Sequence, residues 1–205
     1  MYSGLLFYWF SWILWVIVTF FMKKSRYRAI LACWLLLLVL CSEFHISFEP
    51  YEMTLSYLVI LSGALMLHAR IPGIFFHLFV SFTIMIGYTA ALIWESHVPL
   101  KHFFSPTLAI SCFLFVLIVL MTSGLWHRLA CGLLGMAGGE MLYSLIIANY
   151  SILDVTGDKR FLDLVSVIIL SLVCHDSVLR LTQTIVKRFR KSIAKSKPLF
   201  RKQAQ

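Results

Sequence analysis

The stretch GLLGMAGGEMLYS, residues 132–144, joins glycine, alanine and large apolar side chains in one run and sets a single carboxylate, Glu140, inside it. The run belongs to an apolar segment, residues 129–148, near the length that crosses roughly 30 Å of hydrocarbon at about 1.5 Å per helical residue. The whole chain has the same character: 60% of its 205 residues are hydrophobic and 13% are charged, with a mean hydropathy of +0.88. A soluble domain carries roughly 25% charged residues, so the composition excludes one and indicates a polytopic membrane protein. Apolar stretches recur from end to end. Residues 1–180 therefore read as one all-α transmembrane helix bundle, and 181–205 as a basic amphipathic cytoplasmic tail.

Charges, prolines and glycines bound seven candidate spans: residues 5–22, 29–42, 53–68, 74–94, 106–121, 129–148 and 162–181. The second is fully apolar only to Ser42; extended to Phe48 it reaches Pro50 with Glu43 and His45 in its last turns. Pro106 suits the first turn of the fifth helix, where its missing N–H is not needed. The third and fourth spans, joined by the tight ARIPG turn, can instead be read as a re-entrant pair, which leaves six spans as the alternative.

Basic residues collect in cytoplasmic loops, whereas acidic ones carry little information. With the N-terminus outside, Lys23, Lys24, Arg26, Arg28, Arg70, Arg128, Arg180 and the basic tail fall inside, fifteen of the 18 Lys and Arg. Lys101, Lys159 and Arg160 fall outside, with Glu43, Glu49, Glu52, Glu95, Asp154, Asp158 and Asp163. This bias holds at every loop and predicts seven spans with a cytoplasmic C-terminus. Six would put one terminus on the wrong side.

The first span has neither basic residues before its apolar core nor a small-residue cleavage pattern, so it reads as a retained anchor. Tyr2, Tyr8, Trp9 and Trp12 suit the outer interface, Tyr27 and Trp126 the inner one. Cys33, Cys41, Cys112, Cys131 and Cys174 lack metal-type spacing and read as buried thiols. The sequon NYS at Asn149 hugs the membrane and is a pattern common by chance.

The aromatic first helix YWFSWILWVIVTFFMKK, residues 8–24, together with the chain length and hydropathy profile, resembles the YphA-type small membrane proteins of spore-forming Bacillus-like bacteria. The resemblance brings no catalytic residues with it. It implies a multi-pass protein of the bacterial inner (cell) membrane, linked to sporulation or envelope assembly.

Counted from the inner boundary near Arg128, Glu140 lies about 18 Å deep, past the midplane. An ionised acid at the centre of a span costs roughly 2.5–3.5 kcal/mol on insertion scales, so Glu140 is expected to face the bundle or a water-filled cavity. Ala137 and Ser144 share its face. Gly132, Gly135 and Gly139 form an adjoining small-residue stripe, Gly135 and Gly139 as a GxxxG pair, which predicts a central sixth helix with a close neighbour. The fourth span has a similar stripe at Thr83, Gly87, Ala90 and Ala91. The depth count places Ser56 and Tyr57 of the third span, and Tyr88 and Thr89 of the fourth, level with Glu140. No Lys or Arg lies inside the spans, so the expected partners of a neutral Glu140 are hydroxyls and backbone carbonyls. Two readings follow: a polar clasp that fixes helix packing, or a proton or cation site.

His68, His77, His127, His175 and Asp176 map to the cytoplasmic ends. Imidazoles ligate zinc and haem, but no HExxH or similar local spacing occurs, and interfacial histidines account for the pattern with no metal and no cofactor. In the tail VKRFRKSIAKSKPLFRKQ, residues 186–203, Leu181, Ile185, Phe189 and Ile193 recur at helical spacing between basic residues, as in a helix lying on a membrane surface. Lys187, Arg188, Arg190 and Lys191 would each gain about 1 kcal/mol near the anionic inner leaflet of the lipid bilayer. An acidic membrane or envelope protein is the alternative partner; nucleic acid is not indicated.

The chain has no P-loop, no G-x-S-x-G elbow and no paired intramembrane acids with a base. Ser123 and His127 in TSGLWH lack an orienting group. Polar residues are sparse within the spans and no inverted repeat is visible, which weighs against transport. The expectation is a non-enzymatic integral membrane protein, a structural or assembly component of the cell or spore envelope. A small proton- or cation-coupled transporter or channel using Glu140 is the alternative.

Overall fold

A computed structural model of the chain describes residues 4–48, 51–97, 105–149 and 155–202, the residues from 188 onward as backbone only. Among them seven helices follow one another: α1 (Leu5–Val16), α2 (Arg26–Cys41), α3 (Leu55–His68), α4 (Ile74–His97), α5 (Pro106–Met121), α6 (Leu125–Ala148) and α7 (Lys159–Lys202). Three stretches, Ile74–Ser96, Leu125–Ala148 and Lys159–Lys187, are long and apolar enough to cross a membrane; Leu5–Phe21, Leu55–His68 and Pro106–Met121 are shorter apolar helices. α1 runs into a π-helical turn at Ile17–Phe21, and Arg28 Nη1 donates 3.3 Å to the carbonyl of Thr19 in that turn.

The purely helical expectation needs one correction. Residues that would have lengthened the second span and opened the third form a hairpin, β1 (His45–Phe48) against β2 (Tyr51–Thr54), and β3 (Val155–Thr156) pairs parallel with β2. A helix carried to Phe48 would have met Pro50, which cannot continue it. Strands of two to four residues are too short to leave a period-two pattern. Three helices, α2, α6 and α7, also begin before their apolar runs. At α7 the reason is Asp158, whose Oδ1 accepts the Phe161 N–H at 2.9 Å and caps the first turn.

Helix direction alternates along the chain, as contacts at the two ends of the bundle make plain. At the sheet end, Asp163 of α7 is buried and accepts the N–H groups of Gly4 and Phe7, both at 2.8 Å. It caps α1 from another helix, satisfying donors that the first turn leaves open. Tyr8 Oη meets Ser42 Oγ at 2.8 Å and donates to Glu43 Oε1 at 2.6 Å. Glu43 also pairs with Lys159 Nζ at 2.9 Å, and Arg160 pairs with Glu95. At the opposite end, His68 of α3, His77 of α4 and His127 of α6 bring their rings together.

α6 is the central helix, as its composition predicts. It packs most extensively on α4 and then on α3, burying residues along its length from Arg128 to Ser144. Trp9, Trp12, Tyr27 and Trp126 stay exposed, as anchoring aromatics should; Tyr2 lies outside the described residues. The cysteines depart from expectation, for only Cys41 and Cys131 are buried, while Cys33, Cys112 and Cys174 face outward. In a membrane an apolar run supplies the lipid face as well as the core, so hydrophobic neighbours do not imply burial in protein. α7 continues without a break past its buried part, and residues 177–187, Lys187 included, are exposed. The side chains of Arg188, Arg190 and Lys191 lie outside the described residues.

The carboxyl of Glu43 is held below its ordinary 4.5 by the Tyr8 hydrogen bond first and by Lys159 second. A lowered folded-state value stabilises the fold above the unfolded pKa and loses that contribution as pH falls through the folded one. Thermal unfolding in detergent is therefore expected to show the wild type losing its advantage over Glu43→Gln as pH drops below about 4.5. Parallel stability curves for the two proteins would show that this tie contributes nothing.

Candidate functional site

Close backbone approach builds the site. A Cβ on Gly135 would stand 2.7 Å from the Ile84 side chain and 2.8 Å from the Ser81 carbonyl; one on Gly139 would stand 2.8 Å from the Tyr88 ring and 2.9 Å from the Met85 carbonyl. The GxxxG pair is thus the α4–α6 seam. Gly132 faces α5 instead, where an added Cβ would stand 3.0 Å from Ile118 Cδ1. The stripe on α4 also turns to α5, where Gly87 lies against Leu117 and Phe113.

At this separation α4 hydroxyls reach α6. Tyr88 is fully buried and donates to Glu140 Oε2 at 2.8 Å. Thr89 Oγ1 lies 3.0 Å from the carbonyl of Gly139 and 2.9 Å from that of Met85 on its own helix. From α3, Tyr57 Oη donates to the Ala137 carbonyl at 2.9 Å. Three of the residues placed level with Glu140 therefore do tie α6 to its neighbours, and one bonds the carboxyl group itself. Ser144, one turn further on, is buried but its hydroxyl has no hydrogen-bond partner among the described residues. Ser56 turns to Thr54 rather than to Glu140.

The second oxygen of Glu140 has a partner that sequence reasoning did not identify. Gly157, in the connection between α6 and α7, donates its N–H to Oε1 at 3.4 Å, and its carbonyl accepts from Thr54 Oγ1 at 2.5 Å. Its φ of 76° suits glycine, and an added Cβ would collide with Tyr57. The dipeptide Gly157–Asp158, a turn followed by a helix cap, was the available signal. Beside the expected hydroxyl of Tyr88, a backbone N–H thus engages the carboxyl group.

Beside Glu140 lies a cavity of about 70 Å³ lined by Tyr88, Leu92, Glu140, Tyr143, Asp158, Arg160, Phe161 and Leu164. It has room for a few water molecules and not for an organic solute. The cation missing from the spans is present here, because α7 begins early enough to bring Arg160 to the cavity wall. Glu140 is thus buried within the bundle yet adjacent to the polar connection at the sheet end.

The histidines at the other end meet only in part. His77 and His127 stack at 4.8 Å between ring centroids, and His68 sits edge-on to His77 at 6.5 Å. His175 lies beside Arg128. Asp176 turns away to Arg180 at 2.6 Å instead of orienting an imidazole. Among the described residues no group of three or more His, Cys, Asp or Glu is arranged to hold a metal ion.

A mostly helical chain with three helices of membrane-crossing length, small-residue helix contacts and an apolar outer surface defines an integral membrane protein. A family model described as YphA-like integral membrane protein matches residues 3–199, and the chain belongs to that family. Neither a curated protein nor a solved structure matches it.

Overpacking a tight contact costs about 1–3 kcal/mol, so Gly139→Ala is expected to lower the unfolding midpoint in detergent by that equivalent. Gly132→Ala, which meets only the tip of a flexible side chain, is expected to cost less. An equal or larger loss at Gly132 would move the principal seam from α4 to α5.

Proposed function

We propose that this protein is a non-enzymatic assembly or structural component of the bacterial cell or spore envelope, with Glu140 acting as a packing clasp. The observation that carries the clasp is the engagement of both carboxyl oxygens, one by Tyr88 of α4 and the other by Gly157 of the α6–α7 connection. A group so held joins three parts of the fold, and interhelical hydrogen bonds of this kind stabilise membrane bundles by about 0.6–2 kcal/mol each. The envelope assignment draws on the membrane character of the family and on the basic C-terminal segment, whose partner is the anionic inner leaflet or an acidic membrane protein.

The proposed topology is seven spans, N-terminus outside and C-terminus in the cytoplasm. It is supported by alternating helix directions, by the length of α4, which exceeds what a re-entrant segment needs, and by the Lys and Arg bias. A fluorescent protein fused after Gln205 is expected to fluoresce in cells, while alkaline phosphatase at the same position stays inactive. The reverse result would invert the bundle.

A second reading, a proton-coupled carrier, is favoured by the small polar cavity that brings Asp158 and Arg160 to the Glu140 site. Liposomes holding the purified protein separate the two. The clasp reading expects no proton flux above empty liposomes after a pH jump, and an unfolding midpoint for Glu140→Gln within a few degrees of wild type, since the amide carbonyl still accepts from Tyr88. Flux in the wild type that disappears in a folded Glu140→Gln variant would replace the clasp by the carrier.

A further inference from the structure

Arg128 is the one arginine buried at the histidine end among the described residues, only 7% exposed, and no carboxylate there pairs with it. A guanidinium has five N–H donors. Its Nε donates to the Thr122 carbonyl at 3.1 Å and its Nη1 to His175 Nδ1 at 2.9 Å, with the His175 ring packed edge-on to Phe115 at 5.6 Å. These two neutral acceptors fix the guanidinium plane without neutralising its charge. A buried cation without a counter-ion is costly.

The charge borders a cavity of about 550 Å³ whose wall comes from the start of α4, the end of α5 and the start of α6. Its polar side consists of Arg128, Thr122, Ser123 and the stacked pair His77 and His127. The first turn of α6 opens here after Gly124 with no side-chain cap, so its open N–H groups and helix dipole favour negative charge at the same place. The other side is apolar and faces outward: Phe76, Leu120 and Met121 are 61%, 76% and 41% exposed.

We propose that this cavity binds the phosphate group of an anionic phospholipid, with Arg128 as its counter-ion and the acyl chains lying along Phe76, Leu120 and Met121. Phosphate suits the site because its several acceptor oxygens match the guanidinium fork. The apolar flank favours phosphate carried by a lipid over free phosphate. The inference needs only that this end of the bundle meets a membrane surface, and is independent of the role of Glu140. It differs from attraction of the tail to the leaflet, which is diffuse and requires no pocket.

The test uses the purified full-length protein in a neutral detergent, titrated with phosphatidylglycerol, phosphatidylcholine or inorganic phosphate, and read by native mass spectrometry and by the unfolding midpoint. Phosphatidylglycerol is expected to be retained by the wild type and to raise its midpoint. Arg128→Gln is expected to bind it at least roughly tenfold more weakly, the scale of one lost charge-assisted contact. Ser123→Glu, at an exposed position on the cavity wall, is expected to fold normally and also lose the lipid, because its carboxylate occupies the anion position. Lys187→Gln, on the exposed basic segment, should retain it. Undiminished binding by Ser123→Glu, or equal loss in Lys187→Gln, would overturn the site. Full stabilisation by inorganic phosphate alone would overturn the lipid assignment.

Discussion

The fold depends on how closely α4 and α6 approach. Inside a bilayer, burying apolar side chains against each other brings no hydrophobic gain, because the surrounding chains are equally apolar; association rests on dispersion contacts and hydrogen bonds. Both need short distances. Gly135 and Gly139 bring the α6 backbone against the carbonyls of Ser81 and Met85, and at that spacing Tyr88 and Thr89 reach a carboxyl group and a main-chain carbonyl of the facing helix. A larger side chain at either glycine would separate the helices and remove both kinds of contact together. The glycine stripe and the glutamate are therefore parts of one device: the first sets the distance that the second requires.

The two ends of the bundle handle charge differently. At the sheet end, charged groups are matched: Asp163 takes two backbone N–H groups, Glu43 takes a tyrosine and a lysine, and Glu95 takes Arg160. At the histidine end a guanidinium is secured by neutral acceptors only. Matched charges rigidify, while an unmatched one leaves an electrostatic demand for something outside the chain to meet. The stable framework and the recognition surface are in this way assigned to opposite ends of the same helices.

Much of this was legible in the sequence, and what was not had identifiable reasons. The helices stand where the apolar runs put them, because runs of this length have few other folded forms in lipid. The stripe on α6 was legible because small residues at a spacing of four carry meaning on a helix whatever their partner. Tyr57, Tyr88 and Thr89 were found by counting depth, which starts from a membrane boundary and so needs neither the direction nor the length of the neighbouring helix. Depth fixes level and not direction, so it leaves open that Tyr88 bonds the carboxyl group, that Thr89 bonds a carbonyl and that Ser144 finds no partner among the described residues. Gly157, Asp163 and the strands escaped for another reason: Gly157 reaches Glu140 from 17 residues away and Thr54 from 103, Asp163 reaches α1 from 156 and 159, and the strands are two to four residues long, so no local periodicity marks any of them.

The small sheet also has a consequence in time. β2 can pair with β1 as soon as the hairpin is made, but the Thr54 hydroxyl and the Thr156 carbonyl that meet at the far edge are 102 residues apart in the chain. At about 5–20 residues per second of synthesis, the outer edge of β2 waits roughly 5–20 s for its partner strand. During that interval α3 to α6 are synthesised, and only then can the Gly157 turn swing over Glu140. The sheet can close only once α3 to α6 have been made, and the seams of α7 with α1, α5 and α6 close after it, so the small sheet is the gate through which the bundle passes before its final helix docks.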